Sequence, residues 1–577
     1  MRTGSSAPRF PGGGGQTEAH PLESLALWLL GGLIAVGGLL WLTGQLSGRI
    51  FGGSWPQIRV SEIGFVVAQF PHHIRDPADA WPVAARRLIP GPVAFYGTFA
   101  AVIVPILVIL GLLAMRLRTR GAGSARAAYW ARPRDLRTLF VRRHEPGRLI
   151  LGRANGRLVA AESRQSAIIV GPTQTGKTTG FAIPAILEWQ GPVVATSIKT
   201  DLLRETLAAR SAIPGASTLV YDPTGSTGLP SAGWTPLTVC LTWQGAQRVA
   251  EWLVRGARPG GATSDAGEFW YGATSKLLAP ILLAAACSGG TMAQVVQWVD
   301  AQDDEHVRWA LEQNGEAEAL DAFEAISLWD DKTRGSVYAT AQTVLIAYAD
   351  PGVLASAMTA ELRAERILDG GRHTAYLCAP AHEERRLQPL FATLVQEIVA
   401  HAYDRTTETG KPLDPPLLLV LDECANIAPL RDLATLASTG AGQGIQLVSV
   451  FQDIAQINAV YGRDRAPTIV SNHRAKVILS GIADPQTLEY LARLLGDEEV
   501  RQTSATSGAE GRHSTTESVA FRNLAPANVL REMRPGQGVL VYGHLAPARI
   551  ELRPWFKDRR LRQLARRPVP RVEAALP

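Results

Sequence analysis

The 577 residues leave room for two to four domains and at least one large core, and 46% hydrophobic against 19% charged residues suits an α/β protein that carries a few membrane spans. A net charge of +6 is compatible with nucleic acid or an anionic membrane surface as partner and singles out neither. The four cysteines, Cys240, Cys287, Cys378 and Cys424, are far apart and form no C-x-x-C pair; this excludes a disulfide framework and a zinc site and fits a reducing, cytosolic setting for most of the chain.

Residues 1–24 are rich in Gly, Ser and Pro, as expected of a disordered tail. Residues 25–42 are apolar and uncharged, about long enough to cross a ~30 Å hydrocarbon core. Glu18 and Glu23 stand where a signal peptide needs positive charge. Residues 93–115 form a second apolar run, in which Pro105 is tolerable for a membrane helix. Residues 25–115 therefore read as an anchor with two transmembrane helices and an extracytoplasmic loop. Immediately beyond it come Arg116, Arg118, Arg120, Arg126, Arg132, Arg134, Arg137, Arg142 and Arg143. The inter-span loop offsets its fewer basic residues with Glu62, Asp76 and Asp79. The positive-inside rule then places the rest of the chain in the cytoplasm, at the cell membrane. DNA contact is the other use for such an arginine cluster.

From about Leu149 the pattern becomes α/β. The apolar run Ala167-Ile168-Ile169-Val170 leads into Gly171-Pro172-Thr173-Gln174-Thr175-Gly176-Lys177-Thr178-Thr179, and an apolar helical segment, 181–187, follows. Strand, G-x-x-x-x-G-K-T, helix is the P-loop arrangement. Its glycines let backbone N–H groups turn inward around phosphate oxygens, and the helix that follows directs its positive end at them. Residues 171–179 are thus expected to bind ATP, with Lys177 reaching the β and γ phosphates and Thr178 holding Mg2+. A chance match in a glycine-rich chain would lack the flanking strand and helix.

A buried parallel strand is expected at 192–198, further strands of the sheet at 217–221, 374–378, 416–421, 445–451 and 475–479, and a late strand at 538–542. Residues 244–348 are rich in Ala, Leu, Glu and Gln and contain no strand-like run, which reads as an inserted all-α subdomain. It interrupts a nucleotide-binding domain made of 149–243 and 349–556. Residues 500–520, rich in Ser, Thr and Gly, read as a mobile loop, and 557–577 as a disordered basic tail.

The strand 416–421 ends in Asp422-Glu423, a Walker B element. Asp422 is expected to hold Mg2+ through water, and Glu423 to activate the attacking water. Gln452 follows the strand 445–451 directly; an amide there can sense the γ-phosphate, although spacing alone suits a capping role equally well. The order of P-loop strand, Walker B strand and Gln-tipped strand is that of a RecA-type motor.

The segments Gly171–Gly180, Leu421-Asp422-Glu423-Cys424-Ala425-Asn426-Ile427 and Phe451-Gln452-Asp453-Ile454-Ala455-Gln456 resemble those of the VirD4/TraG/TraD coupling proteins of type IV secretion. The likeness runs from about Leu149 to Pro554 and includes the layout of two spans, a RecA-like P-loop NTPase core and an all-α insert. It implies a hexameric, membrane-anchored ATPase that receives a relaxase–DNA complex and drives single-stranded DNA, or protein, to the secretion channel. Relaxosome proteins and other secretion components are the implied partners, and the region from 417 to about 483 resembles the segment associated with relaxosome recognition. Carried over, Lys177 and Thr178 bind nucleotide and Mg2+, Asp422 and Glu423 form the Walker B pair, and Gln452 is the sensor. The family's Arg in the turn before the Gln-tipped strand is missing from Gly440-Ala441-Gly442-Gln443-Gly444. Arg164 lies near the position of a trans-acting arginine, where a solvated loop residue is an equal reading. An FtsK/SpoIIIE-like pump would need a C-terminal winged helix, for which the residues after Pro554 are too few and too Pro-rich. A non-hydrolysing cargo adaptor would not need the Asp422–Glu423 pair.

Overall fold

The computed structural model describes residues 21–118, 127–258, 265–507 and 513–567. It contains two compact units, residues 1–126 and 127–577.

The first unit is built on two long helices, Pro21–Phe51 and Pro92–Arg118, joined by short helical turns. Trp81, Phe95, Val66, Ala80 and Ile89 form its core. Gly44 is required where the first helix meets the Trp81 ring, since a Cβ there would lie 2.0 Å from it. The first helix starts at Pro21 and runs nine residues past the expected end at Leu42. Its buried polar residues explain the extension: Gln45 Nε2 donates to Pro56 O at 2.7 Å, and the Thr43 and Ser47 hydroxyls donate to carbonyls of their own helix. In the second helix, residues 92–113 are long and apolar enough to cross a membrane, and little of that stretch is buried. The expected disordered tail lies, for 1–20, outside the described residues, whereas 21–24 are helical.

The second unit is organised by a mixed sheet. Its strands are β1 (Phe140–Val141), β2 (Ile150–Ala154), β3 (Arg157–Ala160), β4 (Ala167–Val170), β5 (Val193–Ser197), β6 (Thr218–Tyr221), β7 (Thr374–Cys378), β8 (Leu417–Leu421), β9 (Ile445–Phe451), β10 (Ala475–Leu479), β13 (Gln537–Tyr542) and β14 (Ala548–Glu551). A separate hairpin pairs β11 (Asp497–Ser507) with β12 (His513–Asn523). The order across the sheet is β1-β3-β2-β14-β13-β10-β4-β9-β8-β5-β7-β6. From β10 to β6 all neighbours are parallel; from β13 to β1 they are antiparallel. Every residue of β4, β5, β7, β8, β9 and β10 is buried, which is why these strands read as unbroken apolar runs.

Helices cover both faces. One face packs Ile169, Val193, Ala195 and Tyr376 against the helices Ile183–Glu188, Thr200–Ser211 and Arg559–Ala565. The other packs Ile168, Val170, Val194 and Leu377 with the helices Trp243–Ala257, Asp265–Cys287 and Glu384–Thr409. Between β6 and β7 every described regular element is a helix, and this stretch runs on to Ile367, beyond the expected limit of 348. Its apolar residues share one continuous core with the sheet face. Gly267–Cys287 is long and apolar enough to cross a membrane, yet Leu277, Leu278, Ile281, Leu282 and Leu283 are fully buried in that core.

Two sequence expectations are corrected. The described parts of 500–520 are not a loop: 500–507 and 513–520 belong to β11 and β12, which pair across eleven registers, and 508–512 lie outside the described residues. The basic tail is folded at its start, where Asp558 caps the helix Arg559–Ala565 and Leu561 is fully buried.

Candidate functional site

The loop Gly171–Lys177 lies at the carboxyl end of β4, flanked by the tips of β9 and β10. Its sharp turn uses positive φ at Gln174 (65°) and Gly176 (91°). Thr173 and Gln174 are exposed at the tip. Lys177 is buried and its Nζ donates to Gly171 O at 2.5 Å and Pro172 O at 3.0 Å. A wide, π-type turn at Thr178–Ala182 precedes the helix Ile183–Glu188.

The structure brings the remote motif residues to this loop. Thr178 Oγ1 donates to Asp422 Oδ2 at 3.0 Å across 244 residues of sequence. Asp422 follows β8, and Thr196 of neighbouring β5 donates to its backbone carbonyl at 3.1 Å. Glu423 sits in the left-handed region (φ 55°, ψ 46°), a conformation that turns the chain from β8 into the short helix Cys424–Ile427. Gln452 Nε2 donates to Glu423 Oε2 at 3.2 Å. Lys177, Thr178, Asp422, Glu423 and Gln452 thus stand at one edge of one sheet.

Burial lowers the Lys177 pKa, against the pull of Glu423 and Asp422, and pushes Asp422 up to about 6, against the Thr178 hydrogen bond and the charges of Lys177 and Lys199. Among the described residues Asp422 Oδ1 is buried without a hydrogen-bond partner. A carboxylate oxygen so placed, beside a threonine hydroxyl, is the hard-oxygen donor set that suits Mg2+.

Arg164 does not join the site of its own chain. It precedes β4, at the opposite end of that strand from Gly171; its φ is 63° and its N–H donates to Gly147 O at 3.3 Å. Other residues gather at the site without having been singled out. Gln456 accepts from the Gln452 N–H at 2.9 Å and donates to Asn426 at 3.3 Å, tying the two motif tips together. Both lie inside the quoted motifs, and their spacing was the available signal. Glu384 opens the long helix after β7; burial first, then the charge of Glu423, raises it to about 7. No sequence signal marks Glu384.

The fold and this edge define the class: an α/β protein whose mixed sheet carries a P-loop connection at the end of one of its parallel strands. Residues 122–576 match the family described as Type IV secretory system Conjugative DNA transfer. That is most of the chain, and the chain belongs to this family, as its motifs imply. It is 25% identical over 456 residues to the conjugal transfer protein TraG of Escherichia coli, covering 70% of this chain and 69% of the relative. To VirD4 of Agrobacterium fabrum it is 24% identical over 415 residues, covering 69% and 60%. Among solved structures, the plasmid coupling protein TrwB in complex with ADP and Mg2+ matches with a TM-score of 0.57 at 18% identity, over 75% of this chain and 96% of that one. TrwB in complex with the ATP analogue ADPNP gives 0.56 at 17%, over 75% and 96%. These structural likenesses carry the fold.

Proposed function

We propose that this chain is a membrane-anchored ATPase that couples hydrolysis to the recruitment and translocation of single-stranded DNA, as a relaxase–DNA complex, or of protein into a type IV secretion channel. The observation that carries the reading is the meeting of Thr178, Asp422, Glu423 and Gln452 around the P-loop. Residues 171–179 would hold the phosphates. Thr178 and Asp422 would hold Mg2+, which neutralises charge on the phosphate oxygens. Lys177, drawn off its loop carbonyls, would follow the charge that develops on the β and γ phosphates. Glu423 would accept a proton from the attacking water, and Gln452 would report the state of that carboxylate to the strand tips beside it.

Arg164, too far to serve its own site, would complete a neighbour's site in a hexameric ring. The helices Pro21–Phe51 and Pro92–Arg118 would be the two membrane spans, with the second unit in the cytoplasm. The helical stretch between β6 and β7 would form the all-α face turned to cargo. Steady-state ATP hydrolysis by the full chain, with and without single-stranded DNA, tests the proposal. Turnover that DNA stimulates and Lys177→Ala abolishes is expected. No turnover in either condition, indifferent to Lys177→Ala, identifies a non-hydrolysing adaptor instead.

A further inference from the structure

A strap that follows β14 is built onto the P-loop helix. Trp555 N donates to Thr179 O at 3.0 Å, and Arg553 N donates to Gly180 O at 3.2 Å. Ile183 N donates to Thr178 O, and Pro184, having no N–H, cannot bond back to Thr179 O or Gly180 O, so the strap bonds to these two carbonyls instead. Leu552 closes on the same turn: a Cβ at Gly180 would lie 2.9 Å from the Leu552 side chain, so glycine is needed for this approach. The strap is pinned from beneath by the buried Arg553, which pairs bidentately with Glu188 at 2.8 and 3.2 Å and with Asp558 at 3.1 Å. Such anchoring fixes the next two side chains. Trp555 is half-buried, Phe556 is 47% exposed, and their rings meet edge to face with centroids 6.0 Å apart.

The direction of a bound triphosphate follows from the sheet order. Glu423 and Gln452, the residues that would act on the γ-phosphate, lie at the tips of β8 and β9, to one side of β4. The α-phosphate, and the nucleoside beyond it, must trail the other way, past the last P-loop residues Thr178 and Thr179. On that side of β4 lie β10, β13 and β14, and after β14 comes the strap bonded to Thr179.

We infer that Trp555 and Phe556 are the nucleobase platform of this site, taking the purine ring of a nucleoside triphosphate by stacking. The inference rests on the nucleotide reading of the P-loop proposed above. Stacking reads the π face of a base and not its hydrogen-bonding edge, so ATP and GTP bind within a few-fold of each other. The aromatic pair adds affinity for the nucleoside and none for the phosphates.

The test compares dissociation constants of ATP, GTP and inorganic tripolyphosphate, each with Mg2+, for the detergent-solubilised full chain and its Phe556→Ala and Phe556→Trp variants. The expected result is a loss on the order of 10-fold for both nucleotides in Phe556→Ala, no change for tripolyphosphate, and recovery in Phe556→Trp. Equal loss for tripolyphosphate overturns the inference, because the strap then only braces the loop. Unchanged nucleotide affinity overturns it as well. Failure of the unmodified chain to bind tripolyphosphate or nucleotide removes the P-loop reading itself. Photolabelling of the unmodified chain with 8-azido-ATP is independent of any variant: the label is expected on the peptide holding Pro554–Lys557, and a label confined to other peptides refutes the platform.

Discussion

Gln452 Nε2 donates to Glu423 Oε2 at 3.2 Å, which joins the tips of two adjacent parallel strands through side chains 29 residues apart. The same glutamine is held from behind, its N–H donating to Gln456, whose amide reaches Asn426. Glu423 is therefore oriented from both strands. Glu423→Gln should keep nucleotide affinity within a few-fold and lower turnover by on the order of 100-fold or more, as expected for loss of a general base. Gln452→Ala should lower turnover less, since it removes an orienting bond and leaves the base. Phosphate release at saturating ATP, set beside equilibrium ATP binding, measures both; an equal loss of binding in either variant contradicts these roles.

Much of the sheet was legible because its central strands are buried on both faces and leave unbroken apolar runs, such as Leu417–Leu421. The P-loop and Walker B residues were legible because phosphate chemistry restricts residue type and spacing. Of the antiparallel flank only β13 was legible, through its apolar run 538–542. Strands such as Phe140–Val141 and Ala548–Glu551 are short and half-exposed, with no apolar run to mark them. The strap was missed for another reason: nothing near Arg553 in sequence marks its role, because its partner Glu188 lies 365 residues away. Likewise Ser- and Thr-rich composition hid the β11–β12 hairpin, because what stabilises it is cross-strand pairing and not burial.

Asp422 predicts a pH dependence for metal. Burial raises its pKa to about 6, above the ordinary 3.8, so at pH 5 the proton competes with Mg2+ for the carboxylate. Mg2+-nucleotide affinity should fall roughly tenfold per pH unit below about 6. The nucleotide's own titration is common to any variant, so the comparison is with Asp422→Asn. That variant should bind Mg2+-nucleotide weakly at every pH and lack the extra slope. Calorimetric titrations between pH 5 and 7.5 measure it, and parallel slopes for both proteins contradict the assignment.

Glu397 predicts a pH dependence for stability. It is buried within the helix Glu384–Thr409, where its Oε2 accepts from Trp234 Nε1 at 2.9 Å. Burial, and secondarily Glu365, raises its pKa from 4.5 to about 8. The folded chain holds this proton more tightly than the unfolded one. Its contribution is therefore complete below pH 4.5 and lost as pH rises through about 8, by at most about 1.4 kcal/mol per unit. Glu397→Gln keeps the Trp234 hydrogen bond and cannot ionise. Its thermal midpoint should exceed that of the unmodified chain at pH 8.5 and approach it at pH 5. A difference that does not vary with pH contradicts the titration.

The pair Arg553–Glu188 allows a sharper test of what fixes the strap. Both side chains are almost wholly buried, at 5% and 3% exposure, and Asp558 adds a second carboxylate. Removing one partner strands a buried charge, so Arg553→Met should destabilise by about 3–5 kcal/mol. Replacing both, Arg553→Met with Glu188→Leu, removes the desolvated charge together with its partner. The double variant should recover much of that loss, even though it has no ion pair. The backbone bond from residue 553 to Gly180 O does not depend on the side chain, so the double variant should still bind nucleotide. Chemical denaturation of the full chain and its variants measures the cycle. If the double variant is as unstable as the single one, the guanidinium is needed for its geometry and not merely for charge balance, and nucleotide affinity should fall with it.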